Sequence, residues 1–180
     1  METLTLGALR PVPALDRPDL LAAPVAAALA AFADADRIGV VEIDPDLADT
    51  AKLNEAYDLP ETCGANCVVV SGKRAGEERV AACVVRADTR ADVNNLVKRM
   101  LDVRKASFHA HDRAVEETGM EYGGITPLGL PAGWRVLVDE RCLSIPVAVI
   151  GSGVRRSKLL LPGDVLGLLP GAEVVPGLAG

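Results

Sequence analysis

Five residues in the second half of the chain, Gly123-Gly124-Ile125-Thr126-Pro127, carry no charge and a single hydroxyl, and they open the run GGITPLGL. Glycines let a ligand come close to backbone amides, and a proline holds the residue before it in an extended shape. Two or three amides arrested in that way can bind an anion, a sugar hydroxyl or a developing oxyanion without any charged side chain. The same run can equally be a structural turn into a strand near Trp134. A second bare segment, Gly151-Ser152-Gly153, does not match the G-x-S-x-G elbow of serine hydrolases and has no histidine close by in sequence. A turn that contacts phosphate or ribose suits it better.

Other groups with chemical potential are sparse. His109 and His111 read as exposed loop histidines, or else as proton carriers near neutral pH. Cys63 and Cys67 form one close pair without a second, whereas zinc needs four ligands, or three and a water. Neither a metal nor a cofactor is therefore expected, and the 4 cysteines read as buried or free thiols. Two basic clusters stand out: Lys98, Arg99, Arg104 and Lys105, then Arg155, Arg156 and Lys158. Each is either a solvated face or a small contact for nucleic acid.

The whole chain limits how large such a contact can be. Its 180 residues carry a net charge of −6, so phosphate binding should be local rather than a long wrapped backbone. Aromatics make up 3%, which argues against a base-stacking platform. The N-terminus lacks the basic start and apolar core of a signal peptide. The longest uncharged run, Leu20–Ala33, has 14 residues, too short to span a bilayer, so a soluble cytoplasmic protein without membrane contact is expected.

The pattern predicts a helical N-terminal extension over residues 1–36, its helix about Asp19–Asp34, packed on one domain that covers the chain. A strand at Arg37–Ile43 and a helix at Leu47–Tyr57 follow. Two apolar β-rich runs, Ala65–Ser71 and Arg79–Val85, flank the polar stretch GKRAGEE and read as a hairpin. Thr89-x-x-Asp92 resembles a capping box opening a helix to about Leu101, with Val93, Leu96, Val97 and Met100 as its apolar stripe. A short helix at Asp112–Thr118 should end at Gly119 in a left-handed cap. Strands near Trp134–Val138 and Pro146–Ile150, a helix at Gly163–Leu169 and a strand at Glu173–Val175 complete the reading. Strands and helices mixed without regular alternation favour an α+β fold, with a mixed twisted or barrel-like sheet and surrounding helices.

Several of these stretches together resemble a known family. TGMEYGGITPLGLP, then VLVDE, then PVAVIGSGVRRSKLLLPGDVL are similar to the YbaK-like aminoacyl-tRNA deacylases, which include the editing domain of bacterial prolyl-tRNA synthetases. ADVNNLVKRMLDVRKASF upstream also resembles them, and the likeness covers roughly residues 60–175. It implies a YbaK-like domain that hydrolyses the ester of a mischarged tRNA at its 3′-terminal adenosine, with the tRNA acceptor end and an aminoacyl-tRNA synthetase as partners. It also implies that a G-x-x-x-P loop, here Gly123 to Pro127, holds the adenosine and the reacting carbonyl through backbone amides, with Gly123 and Gly124 at the chemistry and Ile125, Thr126 and Pro127 lining the substrate. Gly151, Ser152, Gly153 and Arg155 would lie beside that pocket, and Lys105 would meet a phosphate. Many relatives begin the core strand with a lysine, and here Asn66 stands in its place. Asparagine can donate a hydrogen bond but has no charge. Losing one strong donor to the transition state costs about 2–4 kcal/mol. Lys73 and Lys105 are candidates to stand in for that lysine's cation; the alternative is a weak or inactive module that binds aminoacyl-tRNA or nucleotide.

Overall fold

The computed structural model describes residues 4–180. Among the described residues, nine strands run in chain order: β1 (Val12–Pro13), β2 (Gly39–Glu42), β3 (Ala65–Arg74), β4 (Glu77–Arg86), β5 (Ala106–Phe108), β6 (Arg135–Asp139), β7 (Ala148–Gly151), β8 (Ser157–Leu161) and β9 (Ala172–Val175). They form two sheets, ordered β1-β2-β8-β7 and β5-β3-β4-β6-β9. Among the described strands, the β4–β6 and β6–β9 pairs are parallel and the others antiparallel. The fold is thus mixed α+β, as the sequence suggests, but built on two open sheets rather than a closed barrel.

Alternation along the strands produces three apolar layers, because successive side chains leave a strand on opposite faces. Leu159, Leu161, Ile150, Val84, Val136 and Val138 meet between the sheets. Val70, Cys83, Val85 and Leu137 pack beyond the second sheet, against Val97 and Leu101. Leu160 and Val149 face outward from the first sheet onto Leu53 and Ile43. Strand β8 is therefore buried on both faces, which explains why its sequence shows no alternation.

The helices are shorter than the sequence suggests. The N-terminal helix α1 covers Ala23–Ala30, preceded by a 3₁₀ turn at Pro18–Leu20, since Pro24 sits in its first turn. Helix α2 covers Thr50–Tyr57 and stops at Asp58 in the left-handed region, φ 54°. The third helical segment is a π-helical turn, Val93–Val97, running into α3 (Lys98–Met100). Its cap is the Asp92 carboxylate, which accepts from the Asn95 and Leu96 amides, while Thr89 instead donates to the Arg86 carbonyl. Helix α4 (His111–Thr118) ends at Gly119, φ 66°, as its glycine predicts. Gly163–Leu168 is a 3₁₀ helix rather than an α-helix.

Candidate active site

A cavity of about 350 Å³ opens on the outer face of the first sheet, within the size range of small-ligand sites. Four pieces of chain enclose it: α2 with Asp49 and Thr50, the start of β3, the 108–111 turn into α4, and the 123–125 loop against β7 and β8. Beyond β5, which pairs with β3 over Val70–Gly72, the edge of β3 near Asn66 has no strand partner among the described residues other than the single bridge from Gly64 to Val149, and it faces this space.

The two glycine segments are pressed together backbone to backbone. The Gly153 amide donates to the Gly124 carbonyl at 2.8 Å, and the Glu121 amide donates to the Gly153 carbonyl at 2.8 Å. A Cβ on Gly151 would lie 2.4 Å from the Gly124 oxygen, and one on Gly124 would lie 2.9 Å from the Val154 nitrogen. Helix α1 props the assembly from behind, since a Cβ on Gly153 would strike Ala22 and one on Gly129 would strike the Pro24 carbonyl. Arg155 pins the front: its guanidinium donates to the Pro45 carbonyl at 3.0 Å and the Tyr122 carbonyl at 3.4 Å, and its amide donates to Glu121 at 2.6 Å.

The residues expected at the site divide between its surface and its supports. Asn66, Gly123, Ile125 and Gly151 line the cavity. Gly124, Thr126 and Pro127 are buried behind the wall that they shape. Ser152 is fully buried, its hydroxyl shut among the Ser157 and Val154 carbonyls (3.0 and 3.1 Å) and the Ser157 hydroxyl (2.7 Å). Gly153 meets α1 rather than the cavity, and Arg155 acts as a strut. Lys105 lies outside the cavity, just before β5. Asn66 is exposed at the cavity edge, its Oδ1 accepting from the Thr50 hydroxyl at 3.3 Å.

The histidines differ from the loop reading. His109 is buried, with Nδ1 at 2.9 Å from the Ser71 hydroxyl, Nε2 at 3.4 Å from Glu117, and its ring edge-on to Trp134. Nε2 is close enough to feel the Glu117 charge yet is not aligned for a hydrogen bond. His111 stays at the mouth, tilted against Tyr122 with ring centroids 4.9 Å apart. Cys67 also lines the cavity, but burial, then the neighbouring Cys83, pushes its thiol far above the ordinary range, so it is not a thiolate nucleophile. Among the described residues no three His, Cys, Asp or Glu side chains converge to hold a metal.

Two features were hidden in the sequence. Phe108 and Tyr122, 67% and 57% exposed, both stand at the cavity. The chain has only five aromatic residues, counting 1 Trp, 2 Tyr and 2 Phe, so their placement rather than their number decides what they can do. The second is Lys158, grouped with Arg155 and Arg156 as one basic cluster by sequence alone. It lies on β8 with 8% of its surface exposed, and it lines the cavity. Among the described residues its ammonium has neither a hydrogen bond nor an ion pair. Burial, then repulsion from Arg155, lowers it to about 8, against a smaller upward pull from Asp49.

The profile of the aminoacyl-tRNA editing domain matches residues 44–167, more than two thirds of the chain. The chain therefore belongs to the aminoacyl-tRNA editing domain family. Its fold is YbaK-like. The crystal structure of a candidate trans-editing enzyme for prolyl-tRNA synthetase superposes with a TM-score of 0.72 at 21% identity, over 86% of this chain and 94% of that one. A hypothetical protein of known structure gives 0.68 at 23% identity, over 78% and 90%. An epitope-grafting scaffold gives 0.70 at 20% identity, over 86% and 94%. No curated protein matches the chain. No described helix is long and apolar enough to cross a membrane.

Proposed function

We propose that the protein is a trans-editing deacylase that hydrolyses the ester of a mischarged tRNA at its 3′-terminal adenosine. The observation that carries this reading is the cavity itself: a glycine-loop wall without side chains, room for an aminoacyl group, and two exposed aromatic rings at the mouth. The aminoacyl group would occupy the space among Ala48, Leu53, Val149 and Ile125, while the terminal base stacks on Phe108 or Tyr122. Phosphates upstream of that base would follow β5 away from the mouth. Four residues of β3, from Val70 opposite Phe108 to Arg74, cover about 13 Å and lead to the open basic cleft formed by Lys73, Arg74 and Arg104. Lys105 lies on this path, consistent with a small, local contact by an acidic protein.

Water attacks the ester carbonyl carbon, and the carbonyl electron pair moves to oxygen. The loop backbone offers amides to that oxyanion, because Gly123 and Ile125 line the cavity and neither amide donates to another backbone group among the described residues. Collapse expels the ribose oxygen, which takes up the proton lost by water. Free amino acid and uncharged tRNA result.

The test is a deacylation time course on tRNAs charged with alanine, serine, cysteine or proline, both correctly and wrongly paired. Rapid loss of one mischarged species with cognate pairs spared is expected. Loss at the spontaneous rate for every species would sink the proposal and leave a binding module.

A further inference from the structure

We infer that Lys158 is the catalytic cation of this site, entering from β8 into the cavity that Asn66 borders from β3. The inference rests on the deacylase reading and assigns its oxyanion-stabilising charge to a residue.

Placement argues first. Lys158 is the cross-strand partner of Gly151, and directly paired residues leave a sheet on the same face. Gly151 has no side chain, and it abuts the Gly124 and Ile125 carbonyls. The Lys158 stem therefore rises over bare backbone beside the glycine loop, so cation and loop border one corner of the cavity. Leu160, two residues on, lies on the same face and is sealed against α2 and β7. An apolar side chain at position 158 would continue that layer without a gap, yet the chain places an amine there.

Chemistry argues second. A lysine that is nine-tenths buried almost always has a partner, because an isolated buried charge is costly. Here none is supplied by the described protein, and the group opens onto the one space where a substrate carbonyl would sit. Asn66, in contrast, is exposed and carries no charge, and its one hydrogen bond is the acceptance of the Thr50 hydroxyl by Oδ1. The ammonium donates to the carbonyl oxygen of the scissile ester as it becomes an oxyanion, adding charge to the loop amides. No bond to nitrogen forms, and no redox partner is required.

Single-turnover deacylation of the mischarged species found to be edited tests the assignment, comparing wild type with Lys158→Met between pH 6 and 9. The expected loss at pH 7 is about 100- to 1,000-fold, the range for removing one oxyanion donor, with much less change in affinity for a non-hydrolysable 3′-aminoacylamino-adenosine. Relative to spontaneous hydrolysis, the wild-type rate should fall above pH 8 as the ammonium is lost. Asp49, Cys67, His109, His111, Tyr122 and Arg155 also border this corner, so only a limb absent from Lys158→Met counts as belonging to Lys158.

A variant within about twofold of wild type refutes the role of Lys158 and leaves the deacylase reading intact. A relative rate that climbs through pH 8 refutes the ammonium as donor. Wild type and Asn66→Lys both at the spontaneous rate refute the deacylase reading and this inference together. If Lys158→Met does not fold, NMR of ¹³C-lysine-labelled wild type replaces it, since only five lysines must be told apart. The Lys158 titration should move upward when the analogue binds, and an unmoved titration overturns the assignment.

Discussion

Lys158 should cost the fold stability, and the cost can be worked out. Its ammonium, ordinarily at 10.5, is held near 8, mainly by burial. One pH unit of displacement corresponds to about 1.4 kcal/mol, so the folded state bears about 3 kcal/mol at pH 7, where the group is charged in both folded and unfolded chains. Between pH 8 and about 10.5 the folded protein releases this proton while the unfolded chain keeps it. Stability from this group therefore rises with pH across that window, and the cost is gone above it. Methionine fills similar volume and, without the charge, suits the Leu160–Leu53 layer. Lys158→Met should accordingly gain about 3 kcal/mol at pH 7, or about 6–12 °C in melting temperature for a chain of this length. Urea denaturation of both proteins at pH 7 and pH 10.5 reads the effect directly, because every other titration cancels in the difference. A gain at pH 7 that vanishes at pH 10.5 is expected. Equal stability at pH 7, or a less stable variant, would show that the amine is solvated in the cavity and would refute the argument from burial. A residue that weakens the fold while serving the reaction is a familiar trade between stability and function.

Other substitutions probe the remaining parts of the site. Gly151→Ala brings a Cβ to 2.4 Å from the Gly124 oxygen, and it should destabilise by about 1–3 kcal/mol, read as a lower urea midpoint. Phe108→Ala and Tyr122→Ala remove exposed rings, so melting should hardly change, while affinity for an aminoacylated RNA end falls by about 1–3 kcal/mol per lost stacking contact; unchanged binding for both would exclude the mouth as the base site. Arg155→Met frees the loop from Pro45 and Tyr122, and should lower deacylation more than it lowers the melting temperature. Lys73→Glu with Arg104→Glu should weaken tRNA binding and flatten its salt dependence, without affecting hydrolysis of a short aminoacyl-adenosine.

The hairpin was legible in the sequence because two β-rich runs flank a glycine-containing turn. Its length was not, since the strands continue through GKR and EER down to Ala75-Gly76, where both φ angles are positive. Cross-strand pairing of Lys73 with Glu78 and of Arg74 with Glu77 holds those polar ends in the ladder, a tertiary effect that propensity does not register. Thr89 looked like a cap because of its spacing, but the backbone turns one residue group later and Asp92 takes that role. The glycine loop was readable as a bare backbone wall; that its partner Gly151 touches it could not be read from residues 25 or more positions apart. Lys158 was misgrouped because two arginines precede it closely. A lysine set directly before three leucines and a proline, with a serine ahead of it, was the available sign of a charge drawn into a buried strand.

The packing of the two glycine segments has a consequence for how such a pocket can diversify. One side of the cavity is a backbone-on-backbone contact that accepts no added carbon at Gly124 or Gly151 and is backed by α1. The facing side is built from side chains of α2 and the open edge of β3, among them Ala48, Leu53, Asn54 and Val68. Changes in the size or polarity of the accommodated amino acid can therefore be written at the side chains around the cavity, Ala48, Leu53, Val68, Ile125 and Val149 among them, but not at the two glycines. The glycine contact acts as a fixed ruler against which the variable side chains measure the substrate. Neighbouring sequences with different preferences should differ at positions such as 48, 53, 68, 125 and 149 while keeping the glycines at 124 and 151.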